Sequence, residues 1–371
     1  MGRVREHVPL APYTTLRIGG PARRFAEAAT AAELVEQVRA ADERAEPLLV
    51  LGGGSNLVIA DEGFDGTVIR VCTSGIRAGA GPGGRAAASV TVTVAAGEDW
   101  DSFAAWCLGE GLAGVECLSG IPGLAGATPI QNVGAYGQDV SETIAAVRAY
   151  DRRGGSIVEL PAARCGFGYR TSRFKREAAA HPGRVTGRFV VLDVTFLLRR
   201  SALSRPIRYR ELARGLGAAE GGRVPLADVR AAVLALRRAK GMVLDPADPD
   251  TASVGSFFTN PVLDPAGLAA LRRAVAASAG PGTEIPCYPA EGNAVKVPAA
   301  WLIERAGFGK GYPGGAAGGA RISSKHTLAL VNPGGATARS LLALAAQIRD
   351  GVRKEFGIEL VPEPVLATGW Q

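Results

Sequence analysis

Histidine, cysteine and methionine are all scarce in this chain. Across 371 residues there are three histidines, His7, His181 and His326, and two methionines. So few imidazoles cannot assemble the usual metal constellations, and no metal is expected. The five cysteines, Cys72, Cys107, Cys117, Cys165 and Cys287, are odd in number and far apart. They form neither a CxxC pair nor a disulfide framework, so they are expected reduced and buried in a cytoplasmic protein. No apolar run reaches the roughly 18 residues a membrane helix needs, and the N-terminal MGRVREHVPLAPYTT has no signal-peptide h-region. A hydrolase reading of His326 beside Ser323 and Ser324 lacks the GxSxG elbow that would support it.

Glycine, by contrast, is abundant. The 50 glycines are spread through loops without a strict repeat, and 47% hydrophobic with 21% charged residues is a globular composition. The length points to about two or three domains. Net charge is +7, which suits phosphates and carboxylates as well as nucleic acid. Lys and Arg are scattered without an aromatic-basic ladder, so nucleic-acid binding is not expected.

Two glycine-loaded stretches organise the chain, Leu49–Asn56 (LVLGGGSN) and Leu112–Val140 (LAGVECLSGIPGLAGATPIQNVGAYGQDV). The apolar run from Pro47 reads as a strand entering Gly52, Gly53 and Gly54. Backbone amides free of side-chain bulk can converge there on a phosphate. Read from the residues alone, the two stretches are equally two tight turns at strand ends. Gly79, Gly81 and Gly84 match GxGxxG, but they precede the alternating strand Ser89-VTVTV, so a hairpin turn is expected rather than a dinucleotide fingerprint.

Elsewhere, residues 13–72 read as a small α/β unit, with capping-box spacing at Thr30 and Glu33. Glu98 to Gly111 and a stretch from Pro225 to Gly241 read as helices. Ile144-AAVRAY and Ser156-IVEL read as a hairpin, and Phe189-VVLDVTFLL as a long strand. Met242-VLDPADPD reads as a linker and domain boundary. Lys296-VPAAWLIERAG and 338–356 have amphipathic helical spacing, and Gly307 to Gly319 is a glycine-rich loop.

GGGSN after a strand, IPGLAGATPIQNVGAYG, CGFGYRTSRFK, GSFFTNP, AAWLIERAGFGKGY and LVPEP, in this order, resemble the UDP-N-acetylenolpyruvoylglucosamine reductases, flavoenzymes of peptidoglycan precursor synthesis. The likeness extends from about Thr14 to Leu366. It implies an α+β protein: a two-lobed FAD-binding α/β fold of the vanillyl-alcohol-oxidase type with a C-terminal α/β substrate domain. The implied domains are 1–72 as FAD-binding lobe 1, completed by 358–371, then 73–240 as lobe 2 and 241–357 as the substrate-binding domain.

The resemblance implies that NADPH reduces FAD and that hydride then passes to the enolpyruvyl ether of UDP-N-acetylglucosamine enolpyruvate. For FAD it implies Gly52, Gly53, Gly54, Ser55 and Asn56, with Gly123, Gly126, Gln131, Asn132 and Gly134 facing them. It implies Arg170 against the substrate carboxylate, Glu363 assisting the same polarisation, and Ser256 as proton donor. Tyr169, Tyr209 in PIRYREL, Lys240 and Asn260 are implied as substrate-binding, and Tyr209 marks the longer form of the family. The implied protein is a cytoplasmic monomer with no membrane or nucleic-acid partner. Because GGGSN also occurs in other FAD oxidases, an alcohol or sugar oxidase of the same fold is one alternative, although no histidine lies near the loop to tether FAD. A non-catalytic nucleotide-sugar binding protein is another.

Overall fold

The computed structural model describes residues 4–82, 88–180, 185–315 and 319–368. Gly84, His181 and part of the Gly307–Gly319 loop lie outside them. The chain forms two compact units. One comprises Met1–Pro9, Pro21–Gly54 and Gly63–Val243, the other Leu10–Gly20, Ser55–Glu62 and Leu244–Gln371.

Two larger sheets and the small hairpin sheet of Gly134–Ala135 and Gln138–Asp139 lie among the described residues of the first unit. In one of the larger sheets, the strands run Arg5–Pro9, Pro21–Ala28, Phe64–Val71, Leu48–Leu51 across the sheet. The first pair is antiparallel and the rest are parallel. The helix Ala31–Glu43 follows the second of these strands and buries Leu34, Val35, Val38 and Ala41. Its capping box is present, Thr30 Oγ1 accepting the Glu33 amide and Glu33 Oε2 accepting the Thr30 amide. The strand Leu48–Leu51 is almost wholly buried, as a parallel strand covered on both faces must be, which explains its unbroken apolar run.

The second sheet is antiparallel, in the order Ser156–Pro161, Ile144–Asp151, Phe189–Arg200, Ser89–Ala95, Ile76–Ala80. The hairpin expected at Ile144–Leu160 is present, and Ile76–Ala80, which contains Gly79, pairs antiparallel with Ser89–Ala95, as a hairpin demands. Ser89–Ala95 alternates buried and half-buried residues, placing Val90, Val92 and Val94 in the core. The helix Trp100–Gly109 adds Trp100 and Phe103, which meet Phe196 with ring centroids 5.2–5.9 Å apart. A smaller cluster joins Ile207, Leu212 and Ala213 to Val229 and Val233 of the helix Leu226–Ala239, seating the segment that carries Tyr209.

The second unit is built around the helix Ala338–Phe356, which buries eight residues including Leu341, Ala345, Ile348 and Val352. Burying each of the larger side chains stabilises the unit by roughly 1.5–3 kcal/mol. The Asp61 carboxylate accepts the Ala338 and Arg339 amides, placing negative charge where the helix dipole favours it. Ser253–Ser256, Ala329–Val331 and Arg321–Ile322 form an antiparallel sheet, and Leu57–Ile59 pairs in parallel with Val365–Ala367.

Three findings differ from the sequence reading. The Met242–Asp250 stretch contains the boundary between the units, but it is not a loose tether. Thr251 Oγ1 donates to the Asp245 carbonyl, and the buried Asp250 carboxylate takes Arg321 and Ser324. Of the five free cysteines, Cys287 is exposed and Cys72 half-buried, whereas Cys107, Cys117 and Cys165 are buried. A helix at Arg173–Ala179, capped by Ser172, follows the GYR motif where its basic residues hid any apolar face. Among the described residues, no helix is long and apolar enough to cross a membrane and no group of His, Cys, Asp and Glu could hold a metal.

Candidate active site

The two glycine loops meet backbone to backbone within the first unit. A Cβ on Gly53 would lie 2.7 Å from Gly123 Cα, and one on Gly126 would lie 2.4 Å from Ala96 Cβ. Gly53 can carry no side chain where the two loops meet, and Gly126 none where the second loop packs on Ala96. Such backbone is the donor surface a dinucleotide pyrophosphate takes, so these residues fit FAD. The chain passes from the first unit to the second between Gly54 and Ser55, and Asn56 Nδ2 donates to the Glu363 carbonyl at 3.5 Å.

The second glycine loop also carries the arginine corner. The short helix Thr128–Gln131, with Gln131 buried, ends at Asn132, whose φ of 44° asparagine tolerates better than most residues. Three bonds then strap the GFGYRTS loop to it: Asn132 Nδ2 to the Gly168 carbonyl at 2.9 Å, Ser172 Oγ to the Ile130 carbonyl at 2.7 Å, and Arg170 Nη2 to the Gly134 carbonyl at 2.6 Å. Arg170 has φ 51° and Tyr136 φ 48°. With Asn132, half of the six non-glycine positive-φ residues among those described lie in this corner, a concentration typical of functional loops. The Arg170 guanidinium also lies over the Tyr169 ring, 5.4 Å from its centroid.

Tyr209 stands at the start of the helix Arg210–Gly215 and meets Tyr136 edge to face, 5.3 Å between centroids. Burial pushes the Tyr136 hydroxyl up to about 12, so it stays protonated at neutral pH. Lys240, directly after the helix Leu226–Ala239, places Nζ 6.0 Å from the Tyr136 ring centroid and donates to Glu211 Oε2 at 2.7 Å. Thus Tyr209 and Lys240 come together around Tyr136, which the sequence reading did not single out. Nothing in GAYG announces a left-handed tyrosine. Glu116 was also missed. Fully buried, it accepts from the Gly114 and Arg205 amides and from Gln138 Nε2, tying the two ends of the second glycine stretch to each other and to the segment that carries Tyr209.

In the second unit, Ser256 and Glu363 lie on neighbouring segments. The register between Ser253–Ser256 and Ala329–Val331 is broken by a bulge at Gly255, whose φ is 76°. A bulge of this kind re-aims the next side chain, here Ser256. Glu363 donates its amide to the Phe257 carbonyl at 2.8 Å, and Phe258 bridges to Pro362. Asn260 Oδ1 accepts the Ala299 amide at 2.9 Å, so this side chain supports the start of the helix Ala299–Arg305. His326 donates its amide to Ser323 Oγ within a turn, with no elbow around it.

A family model described as FAD binding domain matches residues 22–161. Another, described as UDP-N-acetylenolpyruvoylglucosamine reductase, C-terminal domain, matches residues 246–367. A UDP-N-acetylenolpyruvoylglucosamine reductase of Thermobifida fusca is 59% identical, the match covering 97% of each chain. That of Saccharopolyspora erythraea is 55% identical over 96% of this chain and 94% of its own. The crystal structure of the reductase from Thermus caldophilus superposes with a TM-score of 0.63 at 25% identity, covering 99% of this chain and 100% of the other. The FAD-binding domain followed by the reductase C-terminal domain is therefore as expected, and the chain belongs to the UDP-N-acetylenolpyruvoylglucosamine reductase family.

Proposed function

We propose that this chain is an FAD-containing, NADPH-dependent oxidoreductase that reduces UDP-N-acetylglucosamine enolpyruvate to UDP-N-acetylmuramate. Bound FAD would supply the hydride, taken from NADPH and passed to the terminal vinyl carbon of the substrate. The ether oxygen makes that double bond electron-rich, so the residues must turn the attached carboxylate into an electron sink. Arg170 does so with a planar fork that suits two carboxylate oxygens as negative charge builds on them. Glu363 assists as a hydrogen-bond donor, which a carboxyl beside a carboxylate can be only while it holds a proton. Ser256 returns a proton to the carbon next to the carboxylate, closing the addition. Tyr169, Tyr209, Lys240 and Asn260 are assigned to the nucleotide sugar, and Gly52 to Asn56 with Gly123, Gly126, Gln131, Asn132 and Gly134 to FAD.

The observation that most supports this reading is the bulge at Gly255, which aims Ser256 beside the backbone pairing of Phe257 with Glu363. All five cysteines are free, which suits the reducing cytoplasm. The lobes at 1–72 with 358–371, 73–240 and 241–357 are retained as functional domains, and the protein is taken to act as a monomer.

An absorbance spectrum of the purified protein tests the reading. A flavin spectrum is expected that bleaches with NADPH and returns under anaerobic conditions on addition of the enolpyruvyl nucleotide. A protein that will not take up FAD defeats it. Recovery with oxygen alone, accompanied by hydrogen peroxide, would point to an oxidase instead.

A further inference from the structure

We propose that Asp139 is a positioning residue for Arg170, a role that rests on the reading of Arg170 as the ligand of the substrate carboxylate. The strands Gly134–Ala135 and Gln138–Asp139 form a hairpin in which Asp139 is paired with Gly134. Side chains of paired residues share a face, but position 134 has none. A Cβ there would lie 1.6 Å from Asp139 Oδ1 and 3.0 Å from Arg170 Nη1. The Asp139 carboxylate thus occupies the place of its partner's missing side chain, directly beside the arginine.

The two terminal nitrogens of Arg170 meet different groups of the same residue pair. Nη2 donates to the Gly134 carbonyl at 2.6 Å, and Nη1 lies 3.8 Å from Asp139 Oδ1. The Tyr169 ring supports the guanidinium from a third direction. An ion pair this exposed, with the Asp139 side chain 47% accessible, adds little to stability. Its effect is on direction: a carbonyl and a carboxylate on separate nitrogens restrict how the planar fork can turn. Asp139 is itself anchored, its amide donating to Glu142 Oε1 at 3.2 Å, and Glu142 pairs with Arg208, the neighbour of Tyr209. The hairpin therefore connects the arginine corner to the tyrosine-bearing segment.

The test compares Asp139→Ala, Arg170→Lys and the double variant in the FAD-loaded enzyme. In Asp139→Ala, reoxidation by UDP-N-acetylglucosamine enolpyruvate should slow about 10- to 100-fold, the size expected for a displaced catalytic group. Bleaching by NADPH should be unchanged. Calorimetric Kd for the nucleotide on the oxidised enzyme should rise by no more than about threefold, because the ground-state carboxylate makes less demand on the fork than the developing dianion. In the Arg170→Lys background the same change should alter reoxidation by less than about twofold, the non-additivity of a residue that acts through another. Equal slowing in both backgrounds, parallel loss of NADPH bleaching, or full activity of Asp139→Ala overturns the proposal. Full activity of Arg170→Lys instead overturns the reading of Arg170 on which it rests.

Discussion

Arg170 and Ser256 are held by different means. Arg170 sits in an irregular loop at positive φ, and its position depends on bonds to residues some 36 positions away along the chain, with Asn132 and Ser172 strapping the loop on either side. Ser256 ends a strand of an antiparallel sheet, and one bulged glycine aims it. The contrast follows from the two side chains themselves. A guanidinium on a long flexible stem can reach many places, so tertiary contacts must restrict it. A serine hydroxyl has one rotatable bond to its Cα, so placing the backbone nearly places the donor.

Substitutions in the two regions should therefore fail differently. The largest effect is expected for Ser256→Ala, which should slow reoxidation by the enolpyruvyl nucleotide roughly 10²- to 10⁴-fold, the usual contribution of a general acid. Stopped-flow bleaching by NADPH should be unaffected; equal loss of both half-reactions would remove Ser256 from its role. Next is Gly53→Ala. Its Cβ would lie 2.7 Å from the Gly123 backbone, so the loops must part, at about 1–3 kcal/mol for an overpacked contact. FAD affinity, followed by flavin fluorescence, should fall at least about tenfold.

A smaller effect separates backbone from space. Gly255 has φ 76°, yet nothing lies within 4 Å of a Cβ placed there. Gly255→Ala should destabilise by about 1–2 kcal/mol through the left-handed conformation alone, lowering Tm by a few degrees and slowing the Ser256-dependent step. An unchanged Tm would show that the bulge relaxes without strain.

The smallest effect concerns the framework of the first unit. Asp151 accepts Arg188 Nε and Nη2 at 2.8 and 2.7 Å, and that guanidinium holds its carboxyl down to about 2. Since the folded value lies below the unfolded one of about 3.9, the stabilisation is complete above that value and is lost as pH falls through about 2. The Tm difference between wild type and Asp151→Asn should be full near neutral pH and shrink below about pH 4. A pH-independent difference would assign the effect to packing.

Regular elements were legible where one physical pattern dominated. The capping box at Thr30 and the helix Ala338–Phe356 follow from local spacing alone, and Leu48–Leu51 reads as a buried strand because its apolar run is continuous. The helix Arg173–Ala179 escaped because it buries only Phe174, too little for a periodic signal. Met242–Asp250 reads as a linker from its prolines and aspartates. Its order comes from Arg321, Ser324 and Lys325, more than seventy residues away, which no local reading supplies.

The candidate site divides in the same way. From the residues alone the glycine loops could equally be tight turns; it is the resemblance carried by six ordered motifs that implies a flavin there and roles for Arg170, Ser256 and Glu363. Only the tertiary structure decided that Gly53 and Gly123 meet, that Tyr136 collects Tyr209 and Lys240, and that the Asp139 carboxylate fills the space a side chain at Gly134 would take. Those are contacts between loops distant in sequence or turned by positive φ, and no periodicity along the chain encodes them.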